Sequence, residues 1–324
     1  MNSKTIIAII LLVFVSMALT APLWAQTEAD FQVTLTQDGQ GVRILRYTGT
    51  VMDVVIPATI QGMPVREIAP ETFRLANDRR MDITSVVIPE GVIRIENDLF
   101  GSQGSGNRPS AIRFERLASV TLPSTITHIG EGAFDSTTAL RSITLPEGLV
   151  SIDRFAFRHS GITSITFPTS LNIIGAWAFA DTTALRSVTL PESMERIGHY
   201  AFQNSGITSV TLPANVQDIG SNAFQGSGLT SVTWPGGVAR IGWSMFADCR
   251  NLHTVIIPEG VTYIGPAAFA GCTALTTVTI PDTVERIEFG DPNRSVPSHA
   301  FEGSSRIPLA TQALLRRLGY TGAF

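Results

Sequence analysis

The chain has 324 residues, of which 44% are hydrophobic and only 15% are charged, whereas an average soluble domain carries roughly 25% charged residues. Its 23 basic and 27 acidic residues give a formal net charge of −4, which excludes both a strongly basic nucleic-acid-binding protein and an acidic-tail protein. Two cysteines in so long a chain exclude a disulfide-scaffold domain and a cysteine-rich metal site.

Residues 1–25 have the features of a secretory signal peptide. Lys4 supplies a positive charge, an apolar run of 14 residues extends from Ile6 to Leu19, and Ala25 is a small residue suited to cleavage. The run is shorter than the roughly 20 residues of a membrane span, and no cysteine follows it to take a lipid. We therefore expect a bacterial protein that is exported and is periplasmic, cell-surface-associated or secreted.

Lys4 is the single lysine of the chain. A mature chain beginning after Ala25 would contain no lysine, which excludes Schiff-base chemistry, a phosphate-binding-loop lysine and a Ser–Lys dyad. No nucleophile motif or paired-carboxylate signature replaces them. We therefore predict that the protein is not an enzyme.

Residues 26–50 are predicted to form an N-terminal cap. Two alternating runs lie on either side of Asp38 and Gly39, between Phe31 and Tyr47. Alternation around an Asp-Gly pair is typical of a β-hairpin. Such a hairpin is suited to closing the N-terminal edge of the array that follows.

Residues 51–305 form an internal repeat of 22 or 23 residues. In the eight repeats from Pro89 to Pro258, a Phe follows the Pro by 11 residues every time. The Phe positions are 73, 100, 134, 157, 179, 202, 224, 246, 269 and 301. A unit this short cannot bury its apolar face alone, so the units must stack. We predict one elongated array of about ten coils instead of the two domains that length alone suggests.

The spacing within one unit predicts its local structure. Val188 and Leu190 point inward from a short strand, while the Ser and Thr between and before them point outward. Pro191 cannot donate to a sheet ladder, so it ends the strand. Ile197 is spaced to be buried again as the chain returns, and Gly198 permits a turn that a side chain would obstruct.

Three insertions and a C-terminal segment interrupt the repeat. The insertions are around 61–65, 101–115 and 288–296. They are predicted to be surface loops that either bind a partner or are tolerated without a function of their own. Residues 306–324 are predicted to form a C-terminal cap, with a short amphipathic helix from Leu309 to Leu318 that stops at Gly319.

The repeat resembles a known family. The pattern Leu-x-x-Val/Ile-x-Leu-Pro-x-x-hydrophobic-x-x-Ile-Gly-x-x-Ala-Phe-x-x-Cys extends over roughly residues 50–305 and is similar to the BspA-type leucine-rich repeats of bacterial surface proteins. The resemblance implies a right-handed α/β solenoid, mostly β by residue, with a parallel sheet on its concave side and turns or short helices on its convex side. It also implies exported or surface-exposed binding of macromolecules. Most units here carry Ser or Thr in place of the Cys.

The histidines and cysteines give little support for a chemical site. No two of the five histidines lie within metal-ligand spacing of each other, so we predict no metal, no cofactor and no catalytic residue. Cys249 and Cys272 occupy the same slot in adjacent coils. Stacked strands lie about 4.8 Å apart, which is compatible with a disulfide. Other coils place Ser or Thr in this slot, which favours a packing role for free thiols, and both alternatives remain open.

The outward face of the predicted sheet is the candidate binding face. It presents two columns of small hydroxyl side chains. The candidate residues are Ser142, Thr144, Ser164, Thr166, Ser187, Thr189, Ser209, Thr211, Ser231 and Thr233. A flat, uncharged platform of this kind is suited to a protein or glycan ligand. Equally, Thr suits an exposed strand without any ligand. A regular Thr array is also a feature of ice-binding surfaces, but no second feature supports that use.

Two functional classes therefore remain. The first is an exported binding module, monomeric, that presents this face to a protein or glycan. The second is a structural or assembly component of the bacterial periplasm or cell envelope with no external ligand. The sequence carries no specificity code that identifies a ligand.

Overall fold

The computed structural model describes residues 26–74, 82–101, 114–235, 237–287 and 299–324. The proposed signal peptide, residues 102–113 of the second insertion and the whole insertion at 288–296 lie outside the described residues. Within the described part, stacked parallel strands form a β-solenoid, and one short helix lies near the C-terminal end. The predicted solenoid fold is confirmed.

The strands are short and follow one another at the spacing of the repeat. In chain order they are β1 (Phe31–Leu35), β2 (Val42–Tyr47), β3 (Asp53–Val55), β4 (Thr59–Ile60), β5 (Met63–Ile68), β6 (Ser85–Val87), β7 (Arg94–Ile95), β8 (Ser119–Thr121), β9 (His128–Ile129), β10 (Ser151–Ile152), β11 (Ile173–Ile174), β12 (Ser187–Thr189), β13 (Arg196–Ile197), β14 (Ser209–Thr211), β15 (Asp218–Ile219), β16 (Ser231–Thr233), β17 (Arg240–Ile241), β18 (Thr254–Ile256), β19 (Tyr263–Ile264), β20 (Thr277–Thr279) and β21 (Arg286–Ile287).

The N-terminal hairpin is formed by β1 and β2, which pair in antiparallel fashion. Gly39 has a φ of +69°, a conformation that glycine adopts without steric cost. The side chain of Thr36 donates to Asp38 Oδ1 over 2.6 Å and braces the turn. Strand β2 then pairs in parallel with β5, so the hairpin passes directly into the parallel stacking of the coils.

The first ladder of the solenoid contains the strands that precede each Pro. It comprises the sheets β3-β6-β8 and β12-β14-β16-β18-β20. The register places Ser187 opposite Ser209 and Thr189 opposite Thr211, as the repeat predicts. The central Val of each strand, such as Val188, is buried in the coil interior.

The first ladder is interrupted at residues 142–144 and 164–166, where we had expected strands. These two segments pass the same position but do not pair as strands. The central residue is Val in the eight strands that do pair, and it is Ile143 or Ile165 in the two segments that do not. An extra methylene group in a close-packed coil forces neighbouring backbones apart. We therefore attribute the opening of the ladder to these two isoleucines.

Replacing both isoleucines by Val is expected to close the ladder. In Ile143→Val/Ile165→Val, the amides of residues 142–146 and 164–168 should exchange more slowly with solvent, and the free energy of unfolding should stay constant or rise. An ordinary buried Ile→Val change instead lowers stability by about 0.5–1.5 kcal/mol. Amide exchange and a guanidinium titration measure the two effects. The buried Ile174→Val, in a ladder that is already closed, provides the control that should show the ordinary loss. A comparable loss in the double variant would contradict the explanation.

A second parallel ladder lies on the return side of the coils. Ile197, expected only to be buried as the chain returns, forms a two-residue strand with Arg196. Strands of this kind build the sheets β7-β9-β10-β11-β13-β15 and β17-β19-β21. The Ile of each pair points inward, and its β-branched side chain suits an extended backbone. Neighbouring coils are therefore joined along both ladders except where one of them is interrupted, the first at residues 142–144 and 164–166 and the second between β15 and β17.

The core is a continuous stack of phenylalanine rings. The Phe of each repeat lies parallel to the Phe of the next, with ring centroids 5.0–5.6 Å apart and interplanar angles of 2–22°. Tyr47 contacts the first ring, Phe73, edge-on. At the other end, Tyr320 contacts the last ring, Phe301, edge-on. The two caps therefore cover the ends of the stack.

The C-terminal cap contains the helix α1 (Leu309–Arg317), one residue shorter than predicted. Leu318 is its C-cap, and Gly319 follows with a φ of +91°, as expected for a residue that stops a helix. Leu315 is buried against the solenoid. The chain then turns back to place Tyr320 over the end of the core.

Candidate functional site

All ten predicted face residues are exposed and lie on one side of the solenoid. We call this surface, comprising Ser142, Thr144, Ser164, Thr166, Ser187, Thr189, Ser209, Thr211, Ser231 and Thr233, the Ser/Thr face. None of these hydroxyls bonds to another residue in the described part of the chain. Their hydrogen-bonding capacity therefore remains available to a ligand or to water.

Hydroxyl groups just outside the Ser/Thr face have a different role. Thr208 Oγ1 donates to the backbone oxygen of Arg186 over 3.3 Å, and Thr230 Oγ1 donates to that of Thr208 over 3.2 Å. On the far side of the Pro, Ser193 Oγ donates to the oxygen of Leu171 over 2.8 Å. These hydroxyls join neighbouring coils. The repeat therefore uses hydroxyls as structural links at some positions and leaves those of the Ser/Thr face unpaired.

A cleft of about 330 Å³ opens within the Ser/Thr face. It lies where the first ladder is interrupted, and Ser142, Thr144, Ser164 and Thr166 are among its lining residues. Glu147 contributes a carboxylate at its edge. The predicted flat platform is therefore uneven, with a polar recess at these two coils.

The carboxylates near the Ser/Thr face cap neighbouring coils. Glu90, which follows Pro89, accepts hydrogen bonds from the Ser124 backbone N–H and hydroxyl, each over 3.0 Å, and the N–H bond is the main cause that lowers the pKa of Glu90. At the N-terminal end of the same ladder, the Thr84 and Ser85 hydroxyls donate to Asp53 and lower the pKa of its carboxyl. This end of the surface therefore carries a fixed negative charge.

His159 lies beside two carboxylates of neighbouring coils. Asp135 is almost fully buried and receives two hydrogen bonds from Arg158, over 3.1 and 2.9 Å. His159 lies 3.7 Å from Asp135 and 3.4 Å from Asp181. These side chains form a row of polar contacts that links adjacent coils. Over the described ranges, no group of three His, Cys, Asp or Glu side chains is arranged to hold a metal ion.

Cys249 and Cys272 are free, buried thiols. Cys249 Sγ donates to the Phe224 backbone oxygen over 3.1 Å, and Cys272 Sγ donates to that of Phe246 over 3.2 Å. Ser304, in the same slot, donates to Phe269 in the same way. Desolvation raises the pKa of Cys249 to about 11 and raises that of Cys272 as well. In these three coils the slot joins a side chain to the backbone of the preceding coil, whereas Thr137 and Thr182 donate to the backbone oxygens of Phe134 and Phe179 in their own coils.

The two thiols are expected to resist a disulfide-exchange reagent in the folded protein, because the thiolate is the reactive form and burial suppresses it. Two thiols per chain should titrate after unfolding, whereas a disulfide would give none.

The stability of the protein should fall at alkaline pH. Between pH 9.0 and about pH 11, Cys249 is ionised in the unfolded chain but keeps its proton in the folded chain. Unfolding then releases protons, so this stability contribution is present below pH 9.0 and decreases as the pH rises. Cys249→Ser/Cys272→Ser should have a flatter alkaline stability profile.

The stacked coils, with their buried Leu, Val and Ile columns, define a leucine-rich-repeat solenoid. The family profile "BspA type Leucine rich repeat region" matches in six copies over residues 110–230 and 172–308, more than half of the chain. The protein therefore belongs to the BspA-type leucine-rich repeat family. No helix in the described ranges combines the length and apolar character needed to cross a membrane.

Several solved structures are similar to this chain. A leucine-rich repeat protein from Bacteroides ovatus has a TM-score of 0.53 and 20% identity over 81% of this chain and 90% of that chain, which supports the fold. The T. pallidum leucine-rich repeat protein has 26% identity, a TM-score of 0.45, and coverage of 92% and 98%. A leucine-rich cell surface protein from Faecalibacterium prausnitzii has 24% identity, a TM-score of 0.41, and coverage of 89% and 94%. Among curated protein sequences, none matches the chain significantly.

Proposed function

We propose that the protein is a non-enzymatic, exported binding module that presents the Ser/Thr face to a macromolecular ligand, a protein or a glycan. The observation that supports this proposal is the array of ten exposed hydroxyls with no partner in the described part of the chain. They stand in register over five coils, which suits an extended ligand. Neighbouring hydroxyls that are needed for stability are already bonded between coils.

The shape of the Ser/Thr face supports a macromolecule rather than a small molecule. The cleft at Ser142 and Ser164 is an open recess on a long surface, whereas a small ligand is usually enclosed in a deep pocket. Uncharged hydroxyls donate and accept hydrogen bonds, so they suit peptide groups and sugar hydroxyls equally. The proposed signal peptide, residues 1–25, would bring this surface outside the cytoplasm.

The experiment is a binding array of glycans and extracellular-matrix proteins, probed with purified residues 26–324. Thr166→Arg/Thr189→Arg/Thr211→Arg is expected to abolish binding, because three long cations would project from the centre of the Ser/Thr face. Exposed substitutions of this kind usually change stability by less than about 0.5 kcal/mol each, so thermal unfolding should be nearly unchanged.

The matched control adds the same charge away from the Ser/Thr face. Thr183→Arg/Gln217→Arg/Ala239→Arg also replaces three exposed, uncharged residues and should bind normally. Equal binding by both triple variants would refute the role of the Ser/Thr face. Self-association with no bound array member would instead favour a structural component of the envelope.

A further inference from the structure

A second surface of the solenoid carries aromatic side chains on strained backbone. The second residue after the repeat Gly has a positive φ in successive coils. The smaller members of this column are Gly132, Asn222, Ser244 and Ala267. Three successive coils instead place Phe155, Trp177 and Tyr200 there, with φ of 59, 56 and 59°. Bulky side chains are disfavoured in this region of φ. The conformational preference of the backbone therefore does not explain why these three coils carry aromatic rings.

The three rings form a short outer stack. The Phe155 and Trp177 rings lie 5.4 Å apart, and the Trp177 and Tyr200 rings lie 4.5 Å apart with an interplanar angle of 10°. The guanidinium groups of Arg154 and Arg158 lie over Phe155, 4.2 and 4.3 Å from its centroid. One face of Tyr200 is therefore covered by Trp177, and its other face is directed toward the next coil.

The stack stops at Tyr200 because the following slots hold small residues. A groove of about 710 Å³ takes the place of further rings, with Asn222, Ser244 and Ala267 along it. Tyr200 lies at one end of the groove, and Trp243, which is 42% exposed, lies alongside. The groove crosses five coils, or about 19 Å at the usual strand spacing. This is an open column in which a flat ring could continue the stack.

The polar lining identifies the kind of ring. Gln225 Oε1 accepts from the side-chain amides of Asn222, over 2.9 Å, and Gln203, over 3.2 Å. The carboxylates of Asp248 and Glu302 also line the groove. Amides and carboxylates beside aromatic rings can bond several hydroxyls while an apolar ring face packs on Tyr200. Among its described lining residues there is no cation, which disfavours an anionic ligand.

We propose that this groove binds a neutral, extended oligosaccharide, with one sugar ring stacked on Tyr200. The site lies in a different column from the Ser/Thr face and does not depend on it. It uses the free face of the outer aromatic stack as a platform and the amide cluster to bond the sugar hydroxyls.

The probes are neutral hexasaccharides of β-1,4-linked glucose, β-1,4-linked N-acetylglucosamine, α-1,4-linked glucose and β-1,4-linked xylose, with hexagalacturonate as the anionic comparison. Calorimetry should show sub-millimolar binding of at least one neutral hexasaccharide and at least about tenfold weaker binding of hexagalacturonate. Binding should also change the tryptophan fluorescence, since Trp243 borders the groove. No binding of any neutral hexasaccharide, or equal binding of the anionic one, would overturn the proposal.

Two reciprocal variants separate binding from stability. Tyr200→Asn places there the residue that the next coil carries. The relief of backbone strain offsets the lost stacking on Trp177, so Tm should change little while affinity falls about tenfold or more. Asn222→Tyr extends the stack into the groove and should block binding. The variant should fold, because the equivalent slot of the preceding coil already holds Tyr200. Thr189→Arg, on the Ser/Thr face, should bind the hexasaccharide normally. A lower Tm with unchanged affinity in Tyr200→Asn would show that the ring is merely structural. Loss of binding in Thr189→Arg would place the sugar on the other surface.

Discussion

Phe202→Ala is expected to lower the free energy of unfolding by about 3–5 kcal/mol. The Phe202 ring is fully buried and lies 5.3 Å from the ring of Phe179 and 5.6 Å from that of Phe224. Removing it leaves a cavity between two rings and breaks two stacked contacts, each worth about 0.5–1.5 kcal/mol. The backbone ladders on both sides of the coil limit how far the neighbouring coils can collapse into the space.

The destabilisation caused by Phe202→Ala should be largest in the neighbouring coils and small in distant ones, unlike that in a globular protein with a single core. Each coil contacts only its neighbours, so stability is close to a sum of local terms. Amide exchange should therefore accelerate most in residues 185–229 and least in β3 and α1. Phe202→Leu retains most of the apolar volume, so it should lower the free energy of unfolding much less than Phe202→Ala. A loss below about 1 kcal/mol for Phe202→Ala, or equal acceleration in every coil, would contradict this account.

The period of the sequence was sufficient to predict the fold and the position of the Ser/Thr face. A strict 11-residue interval from Pro to Phe leaves one way to superimpose successive coils, and it places Ser187 beside Ser209 as the structure has them. The caps were predictable for a similar reason. Asp-Gly between alternating runs and Gly after an amphipathic run are strong local signals, and both produced the expected hairpin and helix.

Other features depend on contacts that the period does not contain. The second ladder involves two residues per coil, such as Arg196 and Ile197, too short a segment for alternation to reveal. The opening at Ile143 and Ile165 depends on one methylene group in each coil. A hydrophobic pattern treats Val and Ile alike, whereas a close-packed stack distinguishes them.

The groove was missed because its defining residues differ from coil to coil. A repeat pattern consists of the positions at which the coils agree, and Phe155, Trp177 and Tyr200 occupy a position at which they disagree. The available signal was three aromatics in successive coils, two residues after the slot that usually holds Gly, followed by Asn222. In a repeat protein, agreement between coils indicates the scaffold, and a run of departures at one position of the repeat indicates a local feature with a use of its own.

Gly198→Ala is expected to destabilise the protein by about 3 kcal/mol. A Cβ atom at Gly198 would lie 2.4 Å from the Ala176 backbone nitrogen and 2.5 Å from the Gly175 carbonyl carbon. Both are backbone atoms of the preceding coil, which the return-side ladder holds in place. Neither coil can move without breaking that ladder. The loss of free energy of unfolding caused by the added methyl group should therefore reach or exceed the upper end of the usual range for overpacking, about 1–3 kcal/mol.

Gly242 provides the matched control, since it occupies the same slot two coils further on. A Cβ there would meet Met245 Cε at 3.3 Å, with the nearest other atom at 4.0 Å. The end of a Met side chain moves easily, and Ala also restricts the unfolded chain, which favours folding by about 0.4–1 kcal/mol where the backbone permits it. Gly242→Ala should therefore be within about 1 kcal/mol of the parent protein. Guanidinium titration of both variants tests the difference. Equal losses would mean that the slot requires Gly for its backbone conformation, whereas a loss confined to Gly198→Ala follows from the close approach of one coil to the next.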